Sequence, residues 1–174
     1  MGLSAYRRSP TSGTVPETGA GKNDGTYLEE HSYVTCLCVS MERANDLLKD
    51  AEDFAGAADD LFTTGRWAKV CFNSHQCAEM ALKASLNSLG LDVKGHDLTF
   101  LLKSLVDFET GMQVLVDDVK LLDQYYIPTR YVNAFHSGSA MEHYTRAQAE
   151  SAIRIARQIL NECIKIVAKR TTQE

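Results

Sequence analysis

Apolar residues return at helical spacing through most of the chain. Between residues 41 and 63 they recur every three or four positions, with aspartates on the opposite face, which predicts an amphipathic helix. A second pattern covers residues 67–89 and is built largely from small side chains, which would let a neighbouring helix approach closely. Gly65 separates the two patterns, and such a short connection predicts an antiparallel helical hairpin.

Three further helical patterns follow the hairpin. Asp97 is placed to cap a short leucine-rich helix, and another pattern covers residues 112–125 before Pro128, which cannot continue a helix. A last long helix starts at Thr145 or in the turn before it. Strand signals are absent from residue 41 onward, so the sequence predicts an all-α fold, an up-and-down bundle of four to five helices.

The first forty residues differ from the rest of the chain. Residues 1–30 are rich in Gly, Ser, Thr and Pro and lack periodicity, which predicts a disordered or weakly ordered N-terminal extension over residues 1–40. Residues 33–39 form a β-branched run typical of a strand, but a lone strand would have nothing to pair with. We therefore place the folded domain at residues 41–174, and we hypothesise that Met41 is the natural start.

Length and composition are those of an ordinary globular domain. The chain has 174 residues, of which 44% are hydrophobic and 24% are charged. The five cysteines are odd in number and include no C-x-x-C pair, which favours free thiols in a reducing compartment over a disulfide framework. No apolar run approaches the roughly 20 residues that span a bilayer, so we expect a cytoplasmic protein with no membrane partner.

Charge is distributed unevenly along the chain, whose net charge is −5. Residues 41–124 carry 8 Lys/Arg and 15 Asp/Glu, whereas residues 125–174 carry 7 Lys/Arg and 4 Asp/Glu. The overall acidity argues against wholesale binding to nucleic acid, so an anion site would have to be a local patch in the basic last third. A helix face that simply carries more arginine explains the same distribution about as well.

The segment YYIPTRYVNAFHSG, residues 125–138, opens this basic third and contains the pair with most chemical promise. Arg130 supplies a planar positive fork that suits a phosphate. A histidine titrates near neutral pH, so His136 could take a proton from a ribose 2′-hydroxyl. Together the two residues could cleave RNA without a metal or cofactor and leave a 2′,3′-cyclic phosphate. One pair per chain suggests a two-fold dimer that brings two copies together.

These features also have simpler explanations. An Arg followed by a His after four to six residues is expected about 0.8 times by chance in a chain of this composition. The rings of Tyr125, Tyr126 and Tyr131 could stack on bases, but packing at a helix end is the simpler explanation for them. We expect His75 to be a packed or interfacial polar residue and His96 to belong to a helix cap. No set of Cys and His has zinc-site spacing.

Three stretches of the chain resemble the HEPN domain family (higher eukaryotes and prokaryotes nucleotide-binding). They are QCAEMALKA at residues 76–84, GHDLTFLLKSL at residues 95–105 and LDQYYIPTRY at residues 122–131, of which the third is the most specific. The resemblance covers residues 41–170 and implies a helical bundle that usually dimerises. It also implies frequent pairing with a small nucleotidyltransferase in toxin–antitoxin modules and, in many members, RNA cleavage through an Arg-x(4–6)-His motif.

Carried onto this chain, the resemblance makes Arg130 and His136 the catalytic candidates. Val132 and Asn133 stand where the family usually has Pro-Asp. The candidates for nucleotide binding are Tyr126, Thr129, Tyr131 and Asn133. Three functions stay open: an RNA-cleaving toxin of a two-gene module, a non-catalytic nucleotide- or partner-binding dimer that works with a nucleotidyltransferase, and a plain interaction bundle without a ligand.

Overall fold

The structure, a computed structural model, describes the backbone of residues 27–172 and the side chains of residues 40–172. Within that range the regular elements are all helical, which confirms the predicted all-α fold. The α-helices are α1 (Tyr27–Thr63), α2 (Trp67–Ser88), α3 (Leu98–Val106), α4 (Val116–Asp123), α5 (Ala140–His143) and α6 (Arg146–Thr171). Short 3-10 helices cover Thr110–Leu115 and Val132–Ala134. None of the helices described is both long and apolar enough to cross a membrane.

Helix α1 begins well before the start that the apolar pattern predicts at Met41. Residues 33–39 therefore lie within a helix, and no Gly or Pro between Tyr27 and Met41 interrupts it. Residues 1–26 lie outside the described range. The division of the chain at residue 40 and the natural start at Met41 stay predictions.

Helix α2 lies at the centre of the bundle and packs against both α1 and α6. The turn between α1 and α2 contains Gly65, whose φ of 72° is a left-handed conformation that favours glycine. Small side chains at the helix contacts let the axes approach closely. Those that are fully buried include Ala44, Ala51, Cys71, Cys77, Ala78, Ala81, Ala84, Ala149 and Ala152.

Helices α3 and α4 pack against each other and against this three-helix core. Where one helix was predicted over residues 112–125, a 3-10 helix precedes the shorter α4. Asp97 caps α3 as predicted, because its side chain accepts a hydrogen bond from the Phe100 amide at 2.8 Å. Asp123, the last residue of α4, accepts from the amides of Leu98 at 2.7 Å and Thr99 at 2.9 Å. This carboxylate therefore fixes the end of α4 to the start of α3.

The cysteines whose side chains are described behave as small apolar residues. Cys71, Cys77 and Cys163 are buried free thiols. Burial raises the pKa of each thiol to about 12, so all three stay protonated at neutral pH. The side chains of Cys36 and Cys38 lie outside the described residues.

Candidate functional site

The chain reverses direction directly after α4, within the segment at residues 125–138. Tyr125 is buried, and the Thr129 hydroxyl donates to its carbonyl oxygen at 2.5 Å. The amides of Arg130 and Tyr131 both donate to the carbonyl oxygen of Ile127 at 3.1 Å. Hydrogen bonds within the turn therefore fix the backbone at Arg130.

The Arg130 side chain is exposed but anchored. Its Nε donates to the Tyr126 carbonyl oxygen at 3.1 Å, and its guanidinium carbon lies 3.8 Å from the centre of the Tyr126 ring. The rings of Tyr131 and Phe72 lie farther away, at 5.3 and 5.7 Å. Among the residues described, no carboxylate comes within ion-pair distance of this guanidinium. The positive charge is therefore held in place by aromatic faces while its outer N–H groups stay open to an anion.

Arg130 lines a groove of about 710 Å³ between the α1–α2 turn and residues 129–141. Arg66 and Lys69 line the same groove, are exposed, and form no ion pair with the residues described. The first turn of α2 holds no acidic residue, and its N-cap residue, Arg66, makes no side-chain capping hydrogen bond. Three uncompensated cations and the positive end of a helix dipole therefore surround one groove, which Trp67 and Met141 complete with apolar surface.

His136 lies in a different environment from Arg130. It is exposed in the loop between the 3-10 helix Val132–Ala134 and α5. Within residues 40–172 no hydrogen bond, ion pair or stacked ring involves its imidazole, whereas the neighbouring Phe135 stacks on His143 with ring centres 4.0 Å apart. The structure therefore shows no hydrogen bond or ion pair between Arg130 and His136 within one chain, and their catalytic pairing stays a prediction.

The four residues predicted to bind a nucleotide have distinct surroundings. Thr129 is only 2% exposed, and its hydroxyl proton already goes to the Tyr125 carbonyl, so it has a structural role in the turn. Tyr131 and Asn133 are exposed beside Arg130 in sequence and remain accessible. Tyr126 is half-buried and carries contacts on its ring that the sequence did not indicate. Whether any of them binds a nucleotide stays a prediction.

A buried carboxylate lies behind Tyr126. Glu79 of α2 is 1% exposed, yet its oxygens lie 3.0 and 3.1 Å from Nδ1 of His96, and Lys83 donates to one of them at 2.7 Å. The prediction that His96 belongs to the α3 cap is wrong. Asp97 makes that cap, and the His96 imidazole binds Glu79 instead. The His96 side chain is 54% exposed, so one ring nitrogen binds the buried carboxylate and the ring still reaches solvent.

His75 completes this cluster from inside the core. It is fully buried, with Nδ1 3.3 Å from the Gln76 side-chain oxygen, and its Nε2 has no hydrogen-bond partner and lies 3.8 Å from Asp123. Burial works to raise the pKa of the Asp123 carboxyl. Nearby His75 and hydrogen bonds from Thr99 and the two α3 amides outweigh that effect and hold the pKa below its ordinary value.

The rings of His75 and His96 both stack on Tyr126, with ring centres 4.8 Å apart in each case. A smaller cavity of about 310 Å³ opens beside this stack and is lined by His96, Asp97, Asp123, Tyr126 and Ile127. No three metal-binding side chains gather anywhere in the described part of the chain in a way that could hold an ion.

The family of this helical bundle follows from comparison with known proteins. The model of the HEPN domain matches residues 44–167. The chain belongs to the HEPN domain family. Because the match begins within α1 and ends near the end of α6, it includes the groove, Arg130, His136 and the Glu79 cluster.

Two solved structures are similar to this HEPN domain. TT1696 from Thermus thermophilus is 38% identical, with a TM-score of 0.67 over 74% of this chain and 98% of that one. ST0689, described as an archaeal HEPN homologue, is 30% identical, with a TM-score of 0.62 over 72% of this chain and 98% of that one. A protein from Methanocaldococcus jannaschii that carries the name "Putative toxin MJ1304" is 23% identical over 130 residues, covering 70% of this chain and 86% of its own length.

The three HEPN-like stretches of the sequence meet at one place in the structure. The first contributes Glu79, the second His96 and the third Tyr126 with Arg130. The sequence did carry a signal for this cluster, since Glu79 lies among small apolar residues and four positions from both His75 and Lys83, which puts all three on one helix face. Spacing along α2 could not indicate that His96, on a separate loop, would reach the same carboxylate.

Proposed function

We propose that this HEPN-domain protein is a dimeric endoribonuclease of a toxin–antitoxin-like module, which binds an RNA phosphate at Arg130 and cleaves without a metal. One observation carries the proposal: Arg130 is anchored on Tyr126 without a carboxylate partner among the described residues, in a groove that also presents Arg66 and Lys69. Such a patch favours a polyanion even though the whole chain is acidic. The similarity to a protein named as a toxin supports the biological setting.

The proposed reaction uses the ribose of the RNA itself. His136 removes the proton of the 2′-hydroxyl, and the 2′-oxygen attacks the adjacent phosphorus while the bond to the 5′-oxygen breaks. The guanidinium of Arg130 stabilises the extra negative charge on the phosphoryl oxygens in the transition state. The departing 5′-oxygen takes a proton that the second Arg-His pair of the dimer would supply, so the products are a 2′,3′-cyclic phosphate and a 5′-hydroxyl and the reaction consumes no cofactor.

Exposed apolar side chains around the same segment support a dimer. Ile127, Val132 and Met141 are large apolar residues, in this segment or just after it, that lie exposed on a single chain. A second copy seated there would cover them and would bring its own Arg130 and His136 to a shared cleft. A nucleotidyltransferase is the partner that the family resemblance implies for the module.

The test uses purified protein, an RNA oligonucleotide and excess EDTA. We expect wild-type protein to produce cyclic-phosphate ends, and Arg130→Ala and His136→Ala each to slow cleavage about 100-fold or more. Arg154→Ala is the matched control, because Arg154 is an exposed cation on α6 that pairs with Asp118 at 3.6 Å, away from the groove. RNA that stays intact with wild-type protein under these conditions would overturn the nuclease proposal.

A second candidate is a non-catalytic nucleotide- or partner-binding dimer that works with a nucleotidyltransferase. The observation that favours it is the position of His136, which is exposed and forms no hydrogen bond, ion pair or ring stack with Arg130 or with any other described residue. Binding of RNA or a nucleotide that depends on Arg130, with no cleavage product even at long times, would support this candidate over the first.

A further inference from the structure

Tyr126 places Arg130 and His96 near each other. The Tyr126 ring centre is 3.8 Å from the guanidinium carbon of Arg130 and 4.8 Å from the ring centre of His96. The guanidinium and the imidazole therefore cannot lie farther apart than the sum of these two distances. Both side chains are exposed. Arg130 lines the groove, His96 lines the smaller cavity, and the Tyr126 ring contacts both residues.

Glu79 fixes how His96 presents its nitrogens. Both carboxylate oxygens lie at hydrogen-bond distance from Nδ1, so Nδ1 carries a proton and donates it to Glu79. Nε2 makes no hydrogen bond to the residues described and belongs to a side chain that is 54% exposed. A buried carboxylate that orients an imidazole and leaves its other nitrogen open is the arrangement by which enzymes position a proton-transferring histidine.

We propose that His96 is a second catalytic residue of the Arg130 site, the general acid that protonates the departing 5′-oxygen of the RNA, and that Glu79 is its positioning residue. The inference rests on the proposed ribonuclease function and adds a proton donor that His136 alone does not supply. It also means that one chain carries an acid of its own, so the donor need not come from a second Arg-His pair.

The proton balance of the step is complete. As His136 accepts the 2′-hydroxyl proton and the 2′-oxygen bonds to phosphorus, the bond from phosphorus to the 5′-oxygen breaks. His96 begins as the imidazolium and gives its Nε2 proton to that oxygen, which leaves as a hydroxyl. Afterwards His136 releases a proton and His96 takes one up through solvent, so no oxidant, reductant or metal takes part.

The other ionisable groups around His96 are either hydrogen-bonded or buried. The Asp123 carboxylate accepts from the two α3 amides and the Thr99 hydroxyl, and Asp97 caps α3. Lys83 is paired with Glu79, and His75 lies fully buried on the inner side of the cluster. Arg130 contacts the same Tyr126 ring and has no acidic partner among the described residues, so a phosphate bound to Arg130 would lie beside the tyrosine that also stacks on His96.

The deciding experiment compares two substrates. One is an RNA dinucleotide, whose leaving 5′-oxygen must be protonated, and the other is a nucleoside 3′-phosphate esterified to 4-nitrophenol, whose leaving group departs without a proton. We expect His96→Gln to slow cleavage of the dinucleotide about 100-fold and to leave the rate on the nitrophenyl ester near that of wild type. His136→Ala should slow both reactions, because both need the 2′-hydroxyl proton removed.

Two controls separate catalysis from folding. Lys94→Gln alters an exposed cation on the same loop as His96 and should leave both rates unchanged. Glu79→Gln should show the same substrate dependence as His96→Gln at a smaller magnitude. If Glu79→Gln fails to fold, nitrogen NMR of wild-type His96 replaces it: we expect a proton on Nδ1, and a bare Nδ1 would overturn the positioning role.

The outcomes distinguish this inference from the function on which it rests. Equal loss on both substrates, or no loss on either, in His96→Gln would overturn the role of His96 while the ribonuclease function stood. A wild-type protein that cleaves neither substrate would overturn the ribonuclease function and this inference with it. Loss confined to the dinucleotide would support both.

Discussion

His96 and His136 are two exposed histidines that differ in how firmly the surrounding residues hold them. His96 is held by a buried carboxylate and a stacked tyrosine, although it is far from Arg130 in sequence. His136 is six positions from Arg130 but lies in an exposed loop and forms no hydrogen bond, ion pair or ring stack with the described residues. His136, the histidine close to Arg130 in sequence, is therefore held less firmly. His96 has a fixed orientation because a contact between its loop and helix α2 holds it.

The largest loss of stability is expected from a substitution in the Glu79–His96 cluster. Glu79→Ala removes a carboxylate that is 1% exposed and leaves the charges of Lys83 and His96 without their partner. We expect the free energy of unfolding, measured by urea denaturation, to fall by about 3 kcal/mol. A loss smaller than about 0.5 kcal/mol would show that the cluster is not a unit and would remove the contrast with His136.

A smaller loss of stability is expected from substitution of Asp123, which joins α4 to α3. Asp123→Ala leaves the amides of Leu98 and Thr99 without their acceptor, so the free energy of unfolding should fall by about 2 kcal/mol. Asp117→Ala is the matched control on the same helix, since Asp117 is exposed and contacts only Lys120 among the described residues. Equal effects of the two substitutions would contradict the role assigned to Asp123.

The contribution of Asp123 should also depend on pH in a defined direction. Its folded-state pKa is lower than the ordinary value of 3.8, so protons bind the unfolded chain more readily than the folded one. The stabilisation is therefore complete above the unfolded value and is lost as the pH falls through the lower folded value. Urea denaturation from pH 7 to pH 2 should show the wild-type advantage over Asp123→Ala shrinking only below about pH 4.

Removing two of the cations in the groove should have a moderate effect on RNA binding. In Arg66→Gln/Lys69→Gln, the affinity for single-stranded RNA should fall, and the slope of log affinity against log salt should lose about 0.7 for each cation that contacts phosphate. The exposed α6 variant Arg154→Ala should keep the wild-type slope. An unchanged slope in the double variant would show that RNA does not enter the groove.

The smallest effect on stability is expected at His136. Because its imidazole is exposed and forms no hydrogen bond, ion pair or ring stack with the described residues, His136→Ala should change the free energy of unfolding by less than about 0.5 kcal/mol. The same variant is expected to lose RNA cleavage, so activity and stability should separate cleanly. A marked loss of stability would reveal a contact that a single chain lacks, such as one across a dimer.

Local rules were sufficient for most of the helices. Asp97 and Thr145 cap α3 and α6 because their side chains accept from amides three positions ahead, which the sequence shows directly. Pro128 lies beyond the end of α4 for an equally local reason. Two boundaries were wrong: α1 begins at Tyr27, and a 3-10 helix replaces the first turns of the helix predicted from residue 112.

The sequence by itself determined the all-α fold, the small-residue helix contacts and the segment that carries Arg130, because periodicity, capping and proline act over a few neighbouring residues. Only the tertiary structure decided that Glu79, His96 and Tyr126 meet, and that Arg66 and Lys69 share a groove with Arg130. These contacts join α2 to loops far away in sequence. Their partners are chosen by packing of the whole bundle, which no local pattern encodes.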